Sequence, residues 1–153
     1  MSEILDPTDL APGVAPPRPG VILAQGAARH LIDLGFAVLA EVPVPGHRRM
    51  DLLGLGPKGE LWCVEVKSSR ADFASDGKWP DYLPYCERFF FAVPEGFPDE
   101  LLPAEHGLIR TDAWDAAVLR MPPSRPMAPA RRKSLTLAFA RLAAFRLTGT
   151  PAD

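Results

Sequence analysis

Three charged residues have the types and the spacing to carry out chemistry: Asp51, Glu65 and Lys67. Asp51 lies near the start of one predicted strand. Glu65 and Lys67 lie on the next strand, where alternation puts them on the same face. If the two strands are neighbours, the two carboxylates converge on one point above the sheet. Two hard oxygen ligands with open positions suit Mg²⁺ or Mn²⁺, which accept phosphate oxygens as further ligands. The pattern therefore indicates a divalent-metal site for phosphate chemistry.

Lys67 stands out in a chain that contains 13 arginines and only 4 lysines. A lysine beside a metal can orient or help to deprotonate a bound water and can stabilise charge that builds on phosphorus. Arginine is a poorer choice because its guanidinium hardly ever deprotonates. The competing interpretation is that the charged residues only form a solvated strand face, where a cross-strand pair such as Asp51 with Lys67 contributes about 0.2–1 kcal/mol.

Composition limits the class of protein and of partner. The chain has 153 residues, enough for one domain with a buried core, and 17 basic against 19 acidic residues give a net charge of −2. A nucleic acid would therefore have to meet a local basic patch. Two cysteines do not make a disulfide framework, and no secretory signal or long apolar run is visible. We expect a cytoplasmic protein with no membrane partner, associated with the nucleoid if it acts on DNA.

Hydrophobic periodicity predicts alternating helices and strands. Helices are predicted at 21–34 and 131–147, a mostly helical segment interrupted by Pro80 and Pro84 at 68–88, and strands at 36–42, 50–55, 60–67, 89–93, 107–111 and 116–120. This order predicts a mixed α/β (α+β) domain.

The 18 prolines mark the predicted boundaries of that domain. Five fall in residues 1–20 and four in residues 122–129. The first group predicts a flexible N-terminal arm, and the second predicts a linker before the last helix. The domain itself is expected at 21–147, followed by a tail at 148–153.

The site residues belong to a longer pattern that resembles a known superfamily. Met50-Asp51, thirteen further residues and Glu65-Val66-Lys67 resemble the motif of PD-(D/E)xK nucleases. A narrower resemblance, to the MmcB-like bacterial DNA-repair family, covers residues 21–147 and includes the runs KSSRADFASDGKWPDYLPYCERFFFAVP and MAPARRKSLTLAFARLA. It implies a restriction-endonuclease-like αβββαβ core with a C-terminal helix. It also implies a Mg²⁺- or Mn²⁺-dependent DNA endonuclease that serves repair, with DNA and other repair proteins as partners.

The same resemblance implies roles for individual residues. Asp51 and Glu65 would be metal ligands, the Val66 carbonyl a third ligand, and Lys67 the catalytic lysine. Many relatives supply a further glutamate from the first helix, but the predicted helix 21–34 has none. Gln25 can hold a metal-bound water there, although it adds no charge.

DNA contacts are predicted from two basic groups and from the segment after the third strand. The candidates are Arg48, Arg49, Lys78, Tyr82, Arg131, Arg132 and Lys133. Lys78 can contact a phosphate, and Tyr82 can stack on a base. The alternatives are that Tyr82 packs into the core and that the basic group at the start of the last helix is a solvated flank.

Two functions therefore remain open from the sequence. One is a metal-dependent DNA endonuclease, and the other is a non-catalytic DNA-binding or protein-docking module with the same fold. The Asp, Glu and Lys trio favours the enzyme, whereas the missing helix glutamate, the low net charge and the proline-rich arms favour the module. A small nuclease that cuts both strands symmetrically would need a homodimer.

Overall fold

Six strands form one mixed sheet in the computed structural model of the chain, which describes residue 15 and residues 18–151. Most of the predicted arm at 1–20 and the last two residues of the predicted tail lie outside the described residues. The strands are β1 (Ala37–Val44), β2 (Arg48–Leu55), β3 (Leu61–Val66), β4 (Arg88–Val93), β5 (Gly107–Thr111) and β6 (Ala116–Arg120). The α-helices are α1 (Pro19–Asp33), α2 (Arg70–Ser75) and α3 (Pro129–Thr148), with 3₁₀ helices at Trp79–Tyr85 and Asp99–Leu101.

The strands lie in the sheet in their order along the chain. β1, β2 and β3 are antiparallel neighbours, β3, β4 and β5 run parallel, and β6 returns antiparallel to β5. The carboxyl ends of the three parallel strands therefore meet at one edge of the sheet. Glu65 and Val66 at the end of β3 lie at this edge.

Helix α1 covers one face of the sheet. Leu23, Ala27 and Leu31 recur every fourth residue and are buried, and each buried leucine contributes about 1.5–3 kcal/mol. Gly26 is required where α1 crosses the β5–β6 turn, because an added Cβ would come within 2.0 Å of the Asp112 carbonyl oxygen. The helix starts at Pro19, two residues before the predicted start, since proline is well tolerated in the first helical turn.

The opposite face of the sheet carries the larger part of the core. Cys63 and Phe91 from the central strands pack there with Leu135 and Phe139 of α3. The segment 121–128 before α3 has no regular secondary structure, but it is attached to the start of β4. The Arg125 N–H donates to the Glu87 carbonyl oxygen over 2.8 Å.

The predicted mixed α/β fold, with its αβββαβ order and C-terminal helix, is confirmed. The segment 68–88 differs in detail, because it forms the short helix α2 and a separate 3₁₀ helix. Pro80 and Pro84 lack the N–H groups that a longer α-helix would need. β2 also starts at Arg48, two residues before the predicted start at residue 50, so Arg48 and Arg49 belong to the strand. Within the described residues, no helix has the length and apolar character needed to cross a membrane.

Candidate active site

The site forms where the ladder between β2 and β3 ends. Leu52 and Val64 are the last residues paired through the backbone. One residue further, the Asp51 N–H donates to Glu65 Oε1 over 3.0 Å, and the Val66 N–H donates to Asp51 Oδ2 over 2.8 Å. Each carboxylate thus takes the place of a main-chain acceptor on the neighbouring strand. We call Asp51 and Glu65 the carboxylate pair.

Burial makes the carboxylate pair electrostatically unfavourable when both groups are charged. Glu65 is only 5% exposed, and Asp51 is half-buried. Loss of solvent, followed by the charge of Asp51, raises the pKa of Glu65 to about 8. Loss of solvent also raises the pKa of Asp51, and the charge of Glu41 adds to this effect. A cation between the two groups would relieve this repulsion.

Lys67 follows β3 and is held at both ends. Its N–H donates to the Ala92 carbonyl oxygen over 2.9 Å, which continues the parallel ladder, and its Nζ forms an ion pair with Asp76 Oδ2 at 2.5 Å. The side chain is 94% buried. Burial opposes ionisation of Asp76, yet the hydrogen bond from Lys67 holds the pKa of Asp76 below its ordinary value. The ammonium therefore has a fixed position beside the carboxylate pair.

Helix α2 positions Asp76. The Ser69 hydroxyl accepts the Asp72 N–H over 3.1 Å, and the Asp72 carboxylate accepts the Ser68 N–H over 3.0 Å. This exchange fixes the first turn of the helix. Asp76 directly follows the last residue of the helix, and its carboxylate reaches Lys67. Asp76 was not among the predicted site residues, since nothing in its spacing marks it as the partner of a lysine nine residues earlier.

A cleft of about 680 Å³ opens above the carboxylate pair, between the first half of α1, the middle of β1 and β2, and the end of β3. The predicted site residues that line it are Gln25, Asp51, Glu65, Val66 and Lys67. The structure thus brings together every residue proposed for the metal and the catalytic lysine. Arg18, at the start of α1, also borders the cleft.

Glu41 lines the same cleft and was also missed by the sequence analysis. It has a left-handed backbone, with φ of 53°, between the β1–β2 pairs Ala40–Leu52 and Val42–Met50. The Arg146 guanidinium near the end of α3 donates to the carbonyl oxygens of Ala40 and Glu41 over 2.5 and 2.8 Å. Strained non-glycine residues of this kind concentrate at functional sites. A strand pattern does not reveal such a conformation.

The donor set fits one hard divalent cation held by few protein ligands. Asp51 Oδ2 and Glu65 Oε1 accept main-chain N–H groups, so the second oxygen of each carboxylate is left for the cleft. Among residues 18–151, no cluster of three or more His, Cys, Asp or Glu side chains could hold a metal ion. Mg²⁺ commonly binds through one or two carboxylates together with water and substrate phosphate. The carboxylate pair matches that mode and does not form a closed cage.

The sequence of the chain matches a known protein family over most of its length. The sequence model of the MmcB-like DNA repair proteins matches residues 15–152, which include the whole carboxylate pair. The chain belongs to the MmcB-like family of DNA repair proteins. A solved structure, the SPO1766 protein of unknown function from Silicibacter pomeroyi, is 55% identical with a TM-score of 0.82, and the match covers 86% of this chain and 90% of that one. No curated protein matches the chain.

In this MmcB-like protein, the first group of predicted DNA contacts divides into exposed and structural residues. The prediction that Tyr82 stacks on a base is wrong. Its ring is buried in the core, and its hydroxyl donates to the Arg49 carbonyl oxygen over 2.8 Å. Arg48 forms an ion pair with Asp81 at 2.8 Å. The side chains of Arg49 and Lys78 are exposed and remain candidates for DNA contacts.

The second predicted group lies at the start of α3, away from the carboxylate pair. Arg132 contacts Glu87 at 2.5 Å and the Gly59 carbonyl oxygen at 2.8 Å, both near the beginning of β3, whereas Glu65 is near its end. Arg131 lies 5.2 Å from the centre of the Tyr85 ring, and Lys133 is exposed. Arg132 thus has a structural partner, and the structure does not bring this group to the cleft.

Proposed function

We propose that this member of a DNA repair family is a divalent-metal-dependent deoxyribonuclease that hydrolyses phosphodiester bonds at the carboxylate pair. The observation that carries the proposal is the burial of two carboxylates against each other, with their second oxygens left for a cleft and a buried lysine beside them. Such an arrangement costs folding energy unless a cation neutralises it. Strongly perturbed acids in a cleft are typical of functional sites.

The residues of the cleft have distinct roles in this proposal. Asp51 and Glu65 hold Mg²⁺ or Mn²⁺, with the Val66 carbonyl as a third donor, and the ion supplies Lewis-acid activation of the phosphate and of an attacking water. The Lys67 ammonium stabilises negative charge on the phosphate oxygens as the water attacks. Asp76 keeps the ammonium in place. Gln25 can orient a water molecule from the opposite wall of the cleft.

The net charge of −2 does not attract DNA to the molecule as a whole, so exposed basic side chains near the cleft have to provide the contacts. Arg18 lies on the rim of the cleft, and Arg49 and Lys78 are exposed. Contacts of this kind bind the phosphate backbone and carry little sequence information. The proposed enzyme therefore binds DNA by its backbone, with an affinity that falls as salt rises.

A second candidate function is a non-catalytic DNA-binding module of the same fold. The observation that favours it is the small number of protein ligands, since no cluster of three or more His, Cys, Asp or Glu side chains among residues 18–151 could hold a metal ion, and α1 offers Gln25 but no glutamate. Under this alternative, the carboxylate pair would be a structural remnant.

The two candidates are separated by a cleavage assay on branched, single-stranded and duplex DNA with Mn²⁺. The wild type is compared with Asp51→Asn and Lys67→Ala, and Glu60→Gln, which changes a partly exposed acid outside the cleft, is the matched control. We expect the wild type and the control to cleave and both site variants to lose activity. Cleavage that survives both site substitutions would refute the site. DNA binding without cleavage by the wild type would support the module.

A further inference from the structure

Strand β1 places a third acidic residue in line with the carboxylate pair. The register of the β1–β2 ladder, taken from the pairs on either side, puts Glu41 opposite Asp51. The β2–β3 register, continued by one residue, puts Asp51 opposite Glu65. The three acids therefore occupy one row across three neighbouring strands, and all three residues line the cleft. Like charges that lie opposite each other on neighbouring strands destabilise a sheet, so this row favours a cation in the cleft.

Both strands β1 and β2 are irregular at this row. In β1, Leu39 and Val42 pack against the same core cluster although they are three residues apart. In β2, Met50 and Leu53 show the same odd spacing. Residues on one face of a regular strand are an even number of positions apart. The two irregularities lie side by side, at the left-handed Glu41 and at the residue opposite it, so the regular strand pair is interrupted where the acids lie.

The backbone of Glu41 is held in place, while its carboxylate has no structural partner. The Arg146 guanidinium of α3 donates to the carbonyl oxygens of Ala40 and Glu41, which involves only the backbone of this segment. None of the ion pairs formed within residues 18–151 includes Glu41. Asp72, another acid that lines the cleft, differs in this respect because its carboxylate accepts the Ser68 N–H over 3.0 Å.

The carboxylate pair is influenced by Glu41 and has an oxygen left for a ligand. Loss of solvent is the main cause of the raised pKa of Asp51, and outside the pair the charge of Glu41 has a larger effect than that of Lys67. Glu65 is only 5% exposed and uses Oε1 to accept the Asp51 N–H. Its second oxygen accepts no hydrogen bond from the part of the chain that the structure describes. A buried carboxylate oxygen without a donor, in a row of three acids, points to a cation as its partner.

We propose that Glu41 is a positioning residue of the metal site, and that its carboxylate accepts a hydrogen bond from a water molecule on the ion held by Asp51 and Glu65. This inference rests on the proposed function. Glu41 is not a third direct ligand, because no cluster of three or more His, Cys, Asp or Glu side chains among residues 18–151 could hold a metal ion. Mg²⁺ keeps several of its waters in proteins, and groups that hydrogen-bond around a metal change its affinity by about 10–100-fold. Glu41 thus strengthens binding of the ion and orients one of its waters.

Calorimetric titration of the full chain with Mn²⁺ tests this role. Glu41→Asn removes the carboxylate but suits the left-handed backbone, which Asn and Asp adopt more readily than Glu. We expect the affinity for Mn²⁺ to fall about tenfold or more, while the melting temperature without metal stays the same or rises. Glu41→Asp keeps the charge on an equally suitable backbone and should bind Mn²⁺ much more tightly than Glu41→Asn. A purely structural residue would not lose affinity for the ion while the fold becomes no less stable.

Glu105→Asn is the matched control. It removes the same charge from an exposed position just before β5, at the edge of the sheet opposite the cleft, and should bind Mn²⁺ like the wild type. An equal loss of affinity in Glu105→Asn and Glu41→Asn would overturn the inference, because the effect would then come from net charge and not from the position of Glu41.

Asp51→Asn distinguishes failure of this inference from failure of the proposed function. If Asp51→Asn loses Mn²⁺ binding and Glu41→Asn binds like the wild type, the inference about Glu41 is overturned and the proposed metal site stands. If the wild type binds no Mn²⁺, or if Asp51→Asn binds it like the wild type, the proposed function fails and the inference fails with it. These outcomes are read from binding and melting, and none depends on DNA cleavage.

Discussion

A glutamate lies at each end of strand β3, and the two glutamates are in opposite electrostatic environments. Near the end of the strand, Glu65 accepts the Asp51 N–H and faces the Asp51 carboxylate. Beside its first residue, Glu87 accepts the Leu61 N–H over 3.2 Å and faces the Arg132 guanidinium at 2.5 Å. Both glutamates thus satisfy a strand N–H, and they differ in the charge of the neighbouring side chain.

The difference supports the proposal that one end of β3 stabilises the fold and the other end binds a metal ion. Burial and the charge of Asp51 raise the pKa of Glu65 to about 8. Burial acts in the same direction on Glu87, but the hydrogen bond from Arg132 outweighs it and holds the pKa of Glu87 below its ordinary value. Folding therefore favours the charged form of Glu87 and disfavours that of Glu65. A site that costs stability in this way is typical of a functional site.

The largest expected effect is on catalysis. Glu65→Gln keeps the shape of the side chain and an acceptor for the Asp51 N–H, but it removes a charged metal ligand. We expect DNA cleavage with Mn²⁺ to fall on the order of 100-fold or more. Glu87→Gln makes the same chemical change at the other end of β3 and should leave the cleavage rate within about twofold. Equal losses in both variants would show that the assay reports stability and not the site.

Stabilisation of the folded protein by a metal ion should depend on Glu65 and not on Glu87. A ligand that binds the folded state at about 100 times its dissociation constant adds about 2.7 kcal/mol to the free energy of unfolding. We expect Mn²⁺ to raise the melting temperature of the wild type and of Glu87→Gln, and to leave that of Glu65→Gln unchanged. Differential scanning calorimetry with and without Mn²⁺ measures this shift. A full shift in Glu65→Gln would place the ion away from the carboxylate pair.

Without metal, the two substitutions should change stability in opposite directions. Glu65→Gln removes a buried charge that faces another carboxylate, and we expect a gain of about 1–3 kcal/mol at pH 8. Glu87→Gln removes a charged hydrogen bond to Arg132, and we expect a loss of about 1–2 kcal/mol after allowance for solvent screening. Urea unfolding in the presence of a chelator measures both values.

The changes in the free energy of unfolding caused by Glu65→Gln and by Glu87→Gln should depend on pH with opposite signs. The pKa of Glu65 is raised in the folded state, so its contribution to stability is present below the unfolded value of 4.5 and is lost as pH rises towards 8. The gain from Glu65→Gln should therefore grow over that range. The pKa of Glu87 is lowered, so its contribution is present above 4.5 and is lost at lower pH. A gain from Glu65→Gln that is independent of pH would contradict the assigned pKa.

The sequence is sufficient to predict the carboxylate pair at one end of β3, but not the pairing of Glu87 with Arg132 at the other. Alternation along a strand gives the face of a side chain, so the convergence of Asp51 and Glu65 follows once β2 and β3 are neighbours. The pairing of Glu87 with Arg132 joins residues 45 positions apart, and no local period encodes it. Tyr82 shows the same limit, because its aromatic ring suits either a base or the core until the packing is known.

The smallest expected effect concerns how Arg132 stabilises its end of β3. Its guanidinium donates both to Glu87 and to the Gly59 carbonyl oxygen, and it thereby joins α3 to the β2–β3 turn. Arg132→Lys keeps the charge but loses the planar group that can serve two acceptors. Because the pair is partly exposed, we expect a loss of only about 0.5–1 kcal/mol.

Measurements at two salt concentrations distinguish the two contributions to the loss of stability in Arg132→Lys, the ion pair with Glu87 and the hydrogen bond to Gly59. Screening weakens the ion pair in the wild type and in Arg132→Lys alike, so the difference in their free energies of unfolding should persist at high salt if it comes from the lost hydrogen bond to Gly59. Urea unfolding of both proteins at low and high salt measures it. A difference that disappears at high salt would instead assign the stabilisation to the charge facing Glu87. In that case, the two ends of β3 would differ only in the sign of the charge that each glutamate meets.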